Sequence, residues 1–188
     1  MSALLPFNQN ISAAIGPGGL TQAQFDAALE GTRPALEALR RQHASGELPL
    51  LALPARRDDI DAMQGIAAHL TKDTTDIIVL GIGGSSLGAK ALAQLAFDAT
   101  PAQSTATPRV HFFENLDPFT YERALAALDL KSTRFLVVSK SGGTAEPLMQ
   151  ANAAKNALEA AGGGGYLAQH FAAITEPTDN AVRRFAES

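Results

Sequence analysis

Four short apolar runs, each followed by a stretch of helical periodicity, divide the second half of the chain and leave few folds open to it. The first is Asp76-Ile-Ile-Val-Leu-Gly81, nearly all apolar and closed by glycines, the pattern of a strand buried on both faces. Arg109 to Phe113, Arg134 to Val138 and a weaker run from His170 to Ile174 repeat it. The stretches between them predict helices. One runs from about Ser86 to Phe97. A second opens at Asp117-Pro118, with Asp as N-cap and Pro at the first helical position, and continues to Leu128. A third runs from Thr144 to about Ala160 and ends at the glycines Gly162 to Gly165. Asp179 to Glu187 begins a fourth. Strand and helix alternating at crossover spacing call for an α/β fold, a doubly wound parallel sheet with helices on both faces.

Upstream the rhythm is different. Residues 1–19 hold prolines and glycines and read as a loose arm. Thr21 with Gln24 three residues on has the spacing of a capping box. Phe25, Ala28, Leu29, Leu36 and Leu39 then recur at helical intervals, with a bend expected at Pro34. Ser45 to Pro54 reads as a connector whose leucines pack against the domain. Asp58 and Asp59 open a second helix, with Ile60, Met63, Ile66, Ala67 and Leu70 as its stripe. The expected division is an N-terminal arm and helix over 1–56 and an α/β domain over 57–188. Doubly wound sheets usually hold about five or six strands. Four strands therefore read as a domain incomplete at its C-terminus, a piece of a longer protein.

Composition removes several function classes. The formal net charge is −4, without the basic excess of a nucleic-acid binder. There is no cysteine, hence no disulfide framework and no thiolate metal site, and the four histidines show no ligand spacing. The first ten residues lack a basic segment followed by an apolar run, and no stretch approaches the roughly 20 apolar residues of a membrane span. The expectation is a soluble cytoplasmic protein without metal, nucleic-acid or membrane partners.

Ligands of such sheets bind at the carboxyl ends of the strands, and two loops there have unusual composition. Gly81-Ile-Gly-Gly-Ser-Ser-Leu-Gly88 lets backbone N–H groups approach a ligand, and the N-terminus of the next helix favours an anion. A dinucleotide fingerprint fits only in part. Gly81 and Gly83 match, but Ser86 stands at the third glycine position. The acid that would bind a ribose is Glu114, roughly a dozen residues later than expected. The second loop, Ser139-Lys-Ser-Gly-Gly-Thr144, sets three hydroxyls, two glycines and a lysine around another helix start. Hydroxyl and backbone donors converging on one point suit a phosphate monoester. The loop lacks the order of a Walker A motif.

Gly81-Ile-Gly-Gly-Ser85 together with Ser139-Lys-Ser-Gly-Gly-Thr-Ala-Glu146 resembles the first sugar-isomerase (SIS) domain of the glucose-6-phosphate isomerases, over about residue 47 to the end. The resemblance implies a flavodoxin-like three-layer sandwich, no cofactor, and reversible exchange of glucose 6-phosphate and fructose 6-phosphate in glycolysis and gluconeogenesis. It implies that Ser139, Ser141 and Thr144 hold the phosphate through hydroxyls, helped by the backbone of Lys140, Gly142 and Gly143. Gly84 and Ser85 contact the sugar, and Lys140 adds positive potential. Glu146 acts chiefly on the dipole of its helix. Substitution at Gly142 or Gly143 is expected to change loop shape more than chemistry. The family's proton-transferring glutamate, its ring-opening histidine, and its lysine and arginine belong to motifs downstream, so no catalytic residue is expected in this chain. Glu30, Glu37, Glu114, His43 and His170 match none of those motifs. A homodimer is implied for the full-length enzyme. The alternative is a non-catalytic SIS module that binds a sugar phosphate as a regulator.

Overall fold

A computed structural model of the chain describes residues 18–96 and 108–187. The expected N-terminal arm lies almost wholly outside them. The elements are α1 (Gln22–Ser45), α2 (Asp58–Thr71), β1 (Asp76–Leu80), α3 (Leu87–Ala96), β2 (Arg109–Phe113), α4 (Pro118–Ala126), β3 (Thr133–Val138), α5 (Ala145–Ala160), α6 (Leu167–His170), β4 (Phe171–Ile174) and α7 (Ala181–Glu187). The chain divides into two compact units, residues 1–59 and 60–188.

In the first unit, the capping box at Thr21 forms as the spacing predicts. Gln24 N–H donates to the Thr21 hydroxyl at 3.3 Å, and Thr21 N–H donates to Gln24 Oε1 at 2.8 Å. Helix α1 runs on through Pro34, as the helical spacing on both sides of it predicts, and its stripe residues Leu29, Leu36 and Leu39 are exposed. In the connector, Pro49 to Ala55 forms a 3₁₀ helix, and Leu50, Leu51 and Leu53 are exposed. The three-residue period of this turn points Leu50 and Leu53 the same way, which here is outward.

The second unit is built on a four-stranded parallel sheet in the order β2-β1-β3-β4. The inner strands β1 and β3 pair in register from Asp76 with Thr133 to Leu80 with Val137. One face of the sheet holds the core. Ile78, Leu80, Phe135 and Val137 meet Tyr121 and Leu125 of α4, Ala151 and Ala154 of α5, and Val182 of α7. The alanines let α5 lie close to the sheet. Phe171 of β4 stacks on Phe135 at 4.9 Å and takes the ring of Phe185 edge-on at 5.4 Å, which closes that end. Tyr121 fixes α4 against α5 by donating its hydroxyl to Gln150 O at 2.6 Å, and burial pushes its pKa up. Elsewhere apolar side chains remain exposed: Ile60, Met63 and Ile66 of α2, and Leu92 and Leu95 of α3.

Charged groups collect at the amino end of the sheet. Asp76 is buried and accepts from Arg109 at 2.9 Å, with His111 Nε2 at 2.6 Å. Burial would raise the Asp76 carboxyl, but the hydrogen bonds from Arg109, His111 and Thr75 outweigh it and hold the pKa below the usual value. His170 ends α6 rather than opening β4, and its side chain is buried. Its Nδ1 lies 2.8 Å from Thr133 O and 3.3 Å from the Arg134 guanidinium. A carbonyl only accepts, so Nδ1 carries the proton and the arginine contact is not a hydrogen bond.

Burial lowers the His170 pKa, the Thr133 carbonyl opposes this, and Arg134 lowers it further. A folded-state pKa below the ordinary value of about 6.5 means that the unfolded chain binds the proton more readily. The stability held by neutral His170 is complete above that pH and is lost as pH falls below it. Calorimetric unfolding midpoints are expected to drop between pH 7.5 and pH 5.5, and less steeply in His170→Gln. An identical slope in both proteins refutes this role for His170.

Candidate functional site

Strand order decides where a ligand can sit. From β1 the chain crosses to β2 on one side, and from β3 to β4 on the other. Right-handed crossovers therefore carry α3 and α5 to opposite faces. The carboxyl ends of β1 and β3 form the switch point of the sheet, the place where this topology opens a crevice. Both loops singled out in the sequence leave the sheet there. Gly81 follows Leu80, and Ser139 follows the Val137–Val138 end of the neighbouring strand.

The loop after β3 is a close-knit turn. Gly142 N–H bonds to Ser139 O at 3.1 Å, and Gly143 N–H donates to the Ser141 hydroxyl at 3.3 Å. Ser139 is 2 % exposed, and its hydroxyl donates to Thr144 Oγ1 at 3.3 Å. Ser141, Gly143 and Thr144 are exposed. Thr144 is the N-cap of α5 but makes no side-chain cap bond, so its hydroxyl is not spent on the helix. The loop's outer side is held by the following strand and helix. Ser139 N–H reaches Ile174 O at 3.0 Å, Glu176 N–H reaches Lys140 O at 3.0 Å, and Val182 N–H reaches Gly142 O at 3.2 Å. Gly142 has φ +63°, and a Cβ there would lie 1.8 Å from Asn180 Oδ1. Lys140 is exposed, with Nζ 4.0 Å from Glu176.

The loop after β1 turns through a 3₁₀ segment, Gly83–Ser85, with Gly83 at φ +57°. Gly81 packs so closely that a Cβ would come within 3.1 Å of Ser85 O. Gly84 is exposed and Ser85 half-buried. Ser86, which closes the turn, is fully buried. Its hydroxyl lies 2.6 Å from Glu114 Oε1, and Lys90 Nζ lies 2.5 Å from Glu114 Oε2. Lys90 and the Ser86 hydroxyl hold the Glu114 carboxyl below the usual range. With both oxygens engaged, Glu114 is not the free acid of a ribose site. This trio was not legible as a unit, because its members lie 24 and 28 positions apart in sequence.

Two further hollows lie nearby, and neither suits an anion. One of about 600 Å³ between α4 and α5 is walled by Leu116, Tyr121, Leu125, Met149 and alanines, with Glu122 its only charged group. Another of about 300 Å³ beside the end of β2 has Glu114 and Asp117 and no cation. Among the described residues there is no cluster of three or more His, Asp or Glu placed to hold a metal, and no helix is long and apolar enough to cross a membrane.

The second unit is thus a parallel α/β domain with two glycine- and hydroxyl-rich loops at its switch point. Residues 59–186 match the family model of phosphoglucose isomerase, and the chain belongs to that family. It is 33% identical over 176 residues to glucose-6-phosphate isomerase of Rubrobacter xylanophilus, covering 90% of this chain and 39% of that protein. It is 44% identical over 107 residues to the enzyme of Aromatoleum aromaticum, covering 56% and 19%. Among solved structures, a hypothetical protein from Thermus thermophilus superposes with a TM-score of 0.68 at 30% identity, covering 88% of this chain and 39% of that one. A glucose-6-phosphate isomerase from Chlamydia trachomatis superposes with a TM-score of 0.54 at 30% identity, covering 63% and 22%. The chain thus spans at most about two fifths of the length of these relatives.

Gly142→Ala is expected to cost about 2 kcal/mol or more, from left-handed backbone strain and displacement of Asn180. Inorganic phosphate binding should weaken with it. Urea unfolding measures the first and titration calorimetry the second. Wild-type values for both would show that the loop does not need this conformation.

Proposed function

We propose that this chain is the phosphosugar-binding part of a glucose-6-phosphate isomerase. Ser139, Ser141 and Thr144 hold the phosphate with the backbone of Lys140, Gly142 and Gly143, while Gly84 and Ser85 meet the sugar. The reaction served is the reversible interconversion of glucose 6-phosphate and fructose 6-phosphate, without a cofactor, in the cytoplasm. A homodimer is the assembly this reading implies for the full-length enzyme. The observation that carries the proposal is the meeting of the two loops at the switch point, beside the N-terminus of α5. The exposed hydroxyls of Ser141 and Thr144 and a helix start favour a dianion there. Lys140, exposed and only 4.0 Å from Glu176, adds potential rather than a fixed contact.

Moving a proton between two sugar carbons needs a base within hydrogen-bond reach of that proton. Glu114 is held by Lys90 and Ser86, and Glu146 sits in the first turn of α5. Glu114 is therefore not free for the role, Glu146 acts on the dipole of its helix in this reading, and the family resemblance puts the proton-transfer groups in motifs other than those of this chain. Binding without differential stabilisation of the transition state does not raise the chemical rate.

Two outcomes follow. Ser141→Ala with Thr144→Val should abolish most glucose 6-phosphate and inorganic phosphate binding, each lost charge-assisted bond costing about 1.5–3 kcal/mol. Titration calorimetry reads this, and unchanged affinity ends the assignment. The 188-residue chain alone should give no fructose 6-phosphate in a coupled assay. Turnover above that of a Ser139→Ala, Ser141→Ala control would reveal a catalytic group among these residues.

A further inference from the structure

The phosphosugar reading leaves Glu114 without a task, although its carboxylate is the most fully engaged charge near the crevice. It stands immediately after β2, and β2 is locked to β1 in register up to Phe113 and Leu80. The carboxylate is therefore carried on the sheet itself. From there it reaches two residues of the glycine loop and its helix. Ser86, with no exposed surface, donates its hydroxyl to Oε1 at 2.6 Å. A hydroxyl has one proton, so its 3.3 Å approach to Gly83 O is the weaker contact. Lys90 meets Oε2, and its own N–H donates to Ser86 O at 2.9 Å. Residues four apart on a helix share a face, so the two contacts grip one side of the turn.

Within the turn, Ser85 N–H donates to Ile82 O and Ser86 N–H to Gly83 O, both at 3.1 Å, and the glycines add no further hold. Gly81, Gly83 and Gly84 have no side chains to lock it and more backbone freedom to lose than any other residue. The side-chain hydrogen bonds tying it to another element run through Ser86 and Lys90 to Glu114. The loop after β3 is anchored separately, by β4 and the segment leading into α7.

We propose that Glu114 is a positioning residue for the sugar-binding loop: acting through Ser86 and Lys90, it sets the turn 81–86 so that Gly84 and Ser85 face the sugar of a bound phosphosugar. This rests on the phosphosugar reading above. It separates the two ends of the site, since Glu114 governs the sugar end and has no part in holding the phosphate.

Glu114→Gln and Lys90→Met in the 188-residue chain test it. Each should raise the Kd for glucose 6-phosphate about tenfold, the weight of one misplaced hydrogen bond. The Kd for inorganic phosphate should stay as in the wild type. Combining the two should add little to either, because both break one unit. Amide exchange without added ligand should quicken at 83–86 and not at 140–144. Equal losses for both ligands, additive losses, or unchanged exchange at 83–86 would each overturn the proposal. If Glu114→Gln does not fold, Lys90→Met carries the same readings. If the wild type binds neither glucose 6-phosphate nor phosphate, the phosphosugar reading fails, and the exchange measurement still decides whether Glu114 holds the turn.

Discussion

The parallel pairing of β1 with β3 is the constraint from which everything else in the second unit follows. Five residue pairs, from Asp76–Thr133 to Leu80–Val137, bring the ends of two strands to one level. That level determines where the glycine loop and the hydroxyl loop emerge. A slip of one residue would turn the core residues of the slipped strand, Ile78 and Leu80 or Phe135 and Val137, away from α4 and α5. It would also carry the loops apart. Core packing and ligand geometry thus depend on the same ladder of hydrogen bonds, and the apolar face that enforces the register is also what aligns the site.

The two ends of the sheet use polar chemistry for different purposes. At the amino end, most buried polar groups are engaged: Asp76 with Arg109 and His111, neutral His170 with the Thr133 carbonyl, and Arg134 with the Lys131 and Thr133 carbonyls, although its Nε has no partner. Those contacts fix strands to one another and leave little free for a ligand. At the carboxyl end, donors are neutral and shallow: the hydroxyls of Ser141 and Thr144 and the start of α5. Neutral donors can accept an anion without first giving up an ion pair. The tighter ion pair there, Glu114 with Lys90, belongs to the glycine loop's side of the sheet, and Lys140 of the hydroxyl loop stands 4.0 Å from Glu176.

Much of this was legible in the sequence. The alternation of apolar runs with helical stretches gave the parallel sheet, and Thr21, Asp117 and Thr144 marked helix starts by local chemistry alone. Both loops were visible because glycine and hydroxyl clusters are rare directly after buried strands. What stayed hidden was non-local. Periodicity cannot show that β1 lies between β2 and β3, or that Glu114 reaches back to Ser86. His170 reads as part of a strand, yet the turn after the glycines winds through Leu167–His170 first and delays β4 by one residue.

The hydroxyl loop is read out by chain that comes well after it. Its three anchoring backbone bonds go to Ile174, Glu176 and Val182, and the side chain that fills the space beside Gly142 is Asn180. As the polypeptide leaves the ribosome, Ser139 to Thr144 emerge with no partner for these groups. Their shape is settled only when β4 has joined the sheet and α7 has formed. Contacts that close long stretches of chain form late, because the loop entropy is lost before they are gained. The hydroxyl loop is therefore shaped later than the β1–β3 pairing that sets its level. A nascent chain halted before about residue 182 would have the inner strands and α5 but not the contacts that shape Ser139 to Thr144.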